Sequence, residues 1–79
     1  MSDDTEARAR ALAARLRAEG HEAAAERIEH ELARGPVVNA VLHGLREACE
    51  LVLTAIEAID PKTSLMAEEL RLSVEKRLD

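Results

Sequence analysis

Two glutamate–histidine pairs are the residues of this sequence that have the spacing of metal ligands. His30 follows Glu26 by four residues, and Glu47 follows His43 by the same interval, so each pair would share one face of a helix. One pair supplies only half of a zinc site, which needs three or four ligands. Neither the Glu-x-x-His pattern of di-iron bundles nor the His-Glu-x-x-His pattern of metalloproteases occurs. The spacing therefore predicts solvated or hydrogen-bonded histidines and no metal site. A metal site built from pairs that converge in a dimer is the alternative.

Cys49 is the only cysteine of the chain, and its thiol is a possible nucleophile. A reactive cysteine needs an electropositive, partly exposed site and an adjacent base. His43 lies six residues earlier, which is about 600° around a helix, so it is on a different face. The sequence predicts that Cys49 is a small buried hydrophobe. A single cysteine excludes a disulfide within the chain and is typical of a reducing cytoplasm.

Catalysis by other residue types has no support in the spacing. The serines and threonines occur at predicted caps or helix surfaces, without a recognisable arrangement of His and Asp. A phosphate-binding glycine loop is absent, and neighbouring carboxylates such as Glu68 and Glu69 are typical of solvated positions. We expect neither an enzyme nor a bound cofactor, because an aliphatic core without aromatic residues has little bulk for pocket walls.

Size and charge narrow the class of protein further. The 79 residues predict one domain, 1–79, near the lower limit of what folds alone. The chain is 47% apolar but has no Phe, Tyr or Trp, so its core must be thin, and short chains with thin cores usually need a partner subunit or another staple. The net charge of −5 argues against nucleic acid as a partner.

The composition also predicts a cellular location. The first six residues are acidic and lack the basic and apolar regions of a signal peptide. The longest apolar stretch, 51–59, is interrupted by Glu57, whereas a membrane span needs about 20 apolar residues. We therefore expect a cytoplasmic protein that does not enter the membrane. Its abundance of Ala and Arg is typical of GC-rich bacterial coding, although an idealised designed bundle would share that composition.

The elements that would position these side chains are helices. Gly20, Gly35-Pro36 and Asp60-Pro61 interrupt segments rich in Ala, Leu, Glu and Arg. The pattern predicts an all-α fold, a small antiparallel bundle of two helical hairpins, 1–34 and 36–79. The four predicted helices cover 4–19, 21–34, 36–59 and a segment that starts at Asp60 or Ser64 and runs nearly to the end. Asp3 and Glu6 have the spacing of a capping box.

The third helix has the widest apolar arc and is predicted to be central, buried on two sides. Its apolar residues alternate at intervals of four and three, which is a heptad seam. Arg46 and Glu50 on its polar side are expected to form an i,i+4 ion pair. Such a seam predicts a homodimer, although a compact monomer that closes its own core remains the alternative. The predicted interface consists of the seam with three residues of the fourth helix: Val38, Leu42, Leu45, Cys49, Val52, Ile56, Ile59, Met66, Leu70 and Val74.

Two classes of function follow from this sequence. The first is a non-enzymatic protein–protein interaction and dimerisation module, motivated by the wide apolar arc of the third helix. The second is a ligand- or metal-binding regulatory bundle that uses His30, His43, Cys49 and nearby glutamates. The first predicts a dimer that is insensitive to chelators, and the second predicts a thermal shift when zinc or copper is added.

Overall fold

The computed structural model describes residues 5–56 and 59–78, and in these ranges it contains helices and no strand. The elements are α1 (Thr5–Ala18), α2 (Glu22–Ala33), α3 (Asn39–Ala55) and α4 (Pro61–Leu78). The all-α fold predicted from the pattern of helix formers and breakers is thus confirmed.

The turn between α1 and α2 depends on Gly20. Its φ of +88° lies in the left-handed region that disfavours residues with a Cβ. The N–H of His21 donates to the carbonyl of Leu16 at 2.8 Å, and that of Gly20 to the carbonyl of Arg17 at 3.1 Å. These two bonds form the Schellman motif that ends a helix and reverses the chain. The first hairpin therefore closes over a very short connection.

The third helix is shorter than the sequence predicted, because it begins at Asn39 and not at Pro36. Gly35 has a φ of +132°, and Val38 is extended with φ −109° and ψ 178°. Two consecutive β-branched residues after the proline favour this extended backbone. At its other end α3 stops at Ala55, and Ile56 is extended.

Asp60 begins α4 in the way that the Asp-Pro pair predicted. The backbone N–H of Lys62 donates to the Asp60 carboxylate at 2.8 Å, and Pro61 occupies the first helical position. This backbone hydrogen bond holds the pKa of Asp60 below its usual value, assisted by the N–H of Thr63 and by Arg15 against a smaller opposing effect of burial. The predicted capping box of α1 includes Asp3, which lies outside the described residues.

The four helices pack as a ring around one core. α1 lies against α2 and α4, and α3 lies against the same two helices, so α3 is buried on two sides as predicted. The largest fully enclosed side chains come from every helix, and they include Leu12, Leu16, Ile28, Leu45, Val52, Leu70 and Val74. In the described part of the chain, none of the helices has the length and apolar character that crossing a membrane requires.

Candidate functional site

The predicted dimer seam faces the interior of a single chain. Six of its ten residues are at most 2% exposed, namely Leu42, Leu45, Cys49, Val52, Leu70 and Val74. Ile56, Ile59 and Met66 are partly buried at the edge of the core, and Val38 is 55% exposed. The residues that face the core are covered by the chain's own helices. Any contact with another molecule must therefore use the edge of the predicted seam and residues that it did not include.

An apolar groove between α2 and α3, which we call the α2/α3 groove, is such a surface. Its volume is about 390 Å³. Half of its lining residues are alanine, whose short side chain leaves the space between two helices unfilled. The lining residues are Ala23, Ala24, Arg27, Ala48, Leu51, Val52, Ala55 and Ile56. Of these, Val52 and Ile56 belong to the predicted seam.

The groove occupies only one half of the α2/α3 boundary, because a side chain fills the other half. A Cβ built on Gly44 would overlap the carboxylate of Glu31, so the Glu31 side chain lies directly over the glycine backbone. Arg34 holds that carboxylate in an ion pair at 2.7 Å. Between the two halves, Arg27 reaches across to Glu47 at 3.7 Å. The groove therefore starts where these charged side chains end.

Leu51 stands at the edge of the groove and is 45% exposed. On its other side lies a second depression of about 300 Å³, lined by Arg27, Glu47, Glu50, Leu51 and Thr54. The ion pair predicted between Arg46 and Glu50 does not form, and Glu50 makes no ion pair within the described residues. The surface thus combines an apolar hollow, a protruding leucine, one cation and two carboxylates.

The opposite boundary of the bundle, between α1 and α4, is joined by polar side chains. The Arg15 Nε–H donates to the Thr63 hydroxyl at 2.9 Å, and that hydroxyl donates to the Glu19 carboxylate at 2.8 Å. The hydroxyls of Thr5 and Ser73 are 2.7 Å apart. Thr5 and Thr63 are fully buried, and these bonds satisfy their hydroxyls. This network is structural, since its hydrogen-bonding groups are engaged with one another.

His30, His43 and Cys49 are the residues of the alternative function, a metal- or ligand-binding bundle. His30 and His43 are exposed, and the described residues contain no group of three or more His, Cys, Asp or Glu side chains placed to hold a metal ion. Burial raises the pKa of the Cys49 thiol to about 12, against a smaller lowering by Arg71. Cys49 is therefore an uncharged, enclosed thiol at neutral pH.

A second exposed apolar feature lies on the outer face of α4. Leu65 and Leu72 are each 57% exposed and are seven residues apart, so they project from the same side of the helix. Glu68 and Glu69 lie between them along the chain. Neither leucine lines the α2/α3 groove or the depression beside it.

The groove was not predicted from the sequence, because a run of alanines does not indicate which of them pack in the core and which line a surface hollow. Ala24 and Ala25 are neighbours in the sequence, yet Ala25 is fully buried and Ala24 lines the groove. Leu51 gave a signal that Leu53 shares, because both are large aliphatic residues of the third helix away from the heptad seam. The chain matches no protein-family model, no curated protein and no solved structure.

Proposed function

We propose that this chain is a non-enzymatic protein–protein interaction module that forms a homodimer. The observation that carries the proposal is the α2/α3 groove with Leu51 at its edge. The hollow and the exposed leucine leave apolar surface in contact with water. Covering that surface with a partner is favourable by about 25 cal/mol for each Å² removed from water. Grooves between helices accept apolar side chains presented by another helix.

The surroundings of the groove support binding and not chemistry. Its lining is alanine and larger aliphatic residues with a single cation, Arg27, and it contains no histidine, cysteine or hydroxyl group. Cys49 does not line the groove, is fully buried and stays protonated at neutral pH, so it supports no nucleophilic role. A role in binding another protein surface is consistent with every residue that lines the groove.

The proposal places the dimer in the cytoplasm, with no nucleic acid as partner. A single cysteine, enclosed and unpaired, is suited to a reducing compartment. The net charge of −5 opposes binding to phosphate backbones.

The mass in solution tests this function directly. Light scattering behind a sizing column, across a dilution series and with and without a chelator, is expected to give a dimer that dissociates on dilution and ignores the chelator. A monomer at every concentration would refute the homodimer. A dimer that disappears with chelator would favour the metal-dependent alternative.

A further inference from the structure

We infer that the occupant of the α2/α3 groove is a second copy of this chain, docked about a two-fold axis so that Leu51 of each copy enters the groove of the other. This inference rests on the proposed homodimer and specifies its surface. Leu51 borders both the groove and the charged depression beside it. A single patch therefore contains the projection and the hollow that receives it.

Two-fold symmetry requires a patch that is complementary to itself. An α2/α3 patch meets this condition in shape, because a leucine that is 45% exposed adjoins an alanine-lined hollow of about 390 Å³. Leu65 and Leu72 on α4 are also exposed, but they line neither this hollow nor the charged depression beside it. Leu51 is therefore the exposed leucine that borders both depressions between and beside α2 and α3.

The charged residues at the edge of the groove include both signs, so a second copy can present opposite charges to them. Arg27 supplies a cation, and Glu47 and Glu50 supply carboxylates in the same depression. The intrachain pair of Arg27 with Glu47 spans 3.7 Å, and Glu50 makes no ion pair among the described residues. In the two-fold arrangement Arg27 of each copy faces Glu50 of the other. These two pairs offset part of the repulsion between chains that each carry a net charge of −5.

The surface available is adequate for such a dimer. Stable interfaces bury about 600–1,000 Å² on each partner. The chain exposes 4873 Å², so about a sixth of that surface has to be covered. The exposed faces of two of the four helices, with the groove between them, provide an area of this order. A foreign acidic or basic helix would match only one sign of the rim, whereas a second copy matches both.

The first arm of the test compares two leucines in the full chain. The dimer dissociation constant is measured by sedimentation equilibrium for wild type, Leu51→Gln and the matched control Leu72→Gln, with circular dichroism to check the fold. Leu51→Gln is expected to raise the constant by about tenfold or more, as for a central interface residue, and Leu72→Gln to change it by less than about twofold.

The second arm reverses the rim charges. Arg27→Glu and Glu50→Arg are each expected to weaken the dimer by about tenfold at low salt, and the double variant to restore most of the affinity. Restoration is a result that loss of folding cannot produce. Failure of the double variant to recover would overturn the Arg27–Glu50 pairing.

The outcomes separate this inference from the function on which it rests. A dimer weakened by Leu72→Gln and unchanged by Leu51→Gln would overturn the groove as the interface and leave the homodimer standing. A wild-type chain that is monomeric at every concentration would refute both. A dimer weakened by Leu51→Gln, with the charge exchange restored in the double variant, would establish the two-fold arrangement.

Discussion

The α1/α4 boundary and the α2/α3 boundary solve the same packing problem in different ways. Between α1 and α4, long polar side chains cross the boundary, and the buried hydroxyl of Thr63 both accepts from Arg15 and donates to Glu19. Between α2 and α3, half of the boundary is filled by Glu31 over Gly44, and the other half is an alanine-lined groove. One boundary is completed by its own residues, whereas the other leaves apolar surface uncovered.

The difference separates a boundary that stabilises the fold from a boundary that leaves apolar surface open to solvent. A fully satisfied polar boundary has nothing to gain from a partner, because its hydrogen bonds are already made. An alanine-lined boundary allows two helices to approach but leaves a hollow that another apolar side chain can enter. Function in this chain is therefore expected on the side where the short side chains are exposed.

The largest expected effect on stability comes from a comparison of a core leucine, Leu12, with the leucine at the edge of the groove, Leu51. Leu12 of α1 is fully enclosed, so Leu12→Ala is expected to lower the free energy of unfolding by about 2–5 kcal/mol. Leu51→Ala is expected to change it by less than about 0.5 kcal/mol, since the side chain is 45% exposed. Urea unfolding at a concentration where the chain is monomeric measures both. A large loss in Leu51→Ala would mean that the groove is part of the monomer core.

The same substitution in two threonines sharpens the comparison of the boundaries. Thr63→Val removes a buried hydroxyl that bonds two charged side chains, and a loss of about 1–3 kcal/mol is expected. Thr54→Val, at the rim of the α2/α3 boundary, removes a hydroxyl that donates to the carbonyl of Glu50 at 2.7 Å in an exposed position. That variant is expected to change stability by less than about 0.5 kcal/mol. Equal effects in urea unfolding would contradict the structural role of the Thr63 network.

The Cys49 thiol tests whether water is excluded from the core of the bundle. The thiol pKa is about 12 in the folded chain and has an ordinary value of 9.0, so between these values the folded state binds more protons than the unfolded state. The free energy of unfolding is therefore fully retained below pH 9 and falls above it, by at most about 1.4 kcal/mol per pH unit from this thiol. The control is Cys49→Ala, which should lack that contribution when unfolding curves are compared from pH 8 to 10.5. Identical pH slopes in the two proteins would mean that water reaches the thiol.

Two glycine substitutions give the smallest effects, and these have opposite signs. Gly44→Ala gains helix propensity of up to about 1 kcal/mol, while the flexible Glu31 side chain moves aside and gives up its partly exposed ion pair with Arg34. Gly20→Ala is expected to destabilise by about 1 kcal/mol, because φ is +88° there. In thermal unfolding, the midpoint of Gly44→Ala is expected above that of wild type and the midpoint of Gly20→Ala below it. A Gly44→Ala variant less stable than Gly20→Ala would show that Glu31 cannot move.

Much of the architecture was predictable from local information. Asp60-Pro61 starts α4 and Gly20 ends the first hairpin because capping and left-handed backbone preferences act over a few residues. The third helix was predicted too long at its start, since Val37 and Val38 after Pro36 favour extended backbone over another helical turn. The seam of that helix was predicted to be a dimer interface, whereas Leu42, Leu45, Cys49 and Val52 lie in the core of the chain itself.

What local information cannot supply is the identity of the neighbour. A heptad seam looks the same whether it packs on another chain or on its own α2 and α4, and the fold places Leu45 and Cys49 against the second kind of neighbour. Thr63 and Glu19 are 44 residues apart, so their hydrogen bond cannot be predicted from a spacing in the sequence. The groove likewise exists only where alanines of two helices meet. Helix positions depend on short-range backbone preferences, whereas the boundaries depend on which faces the closed ring brings together.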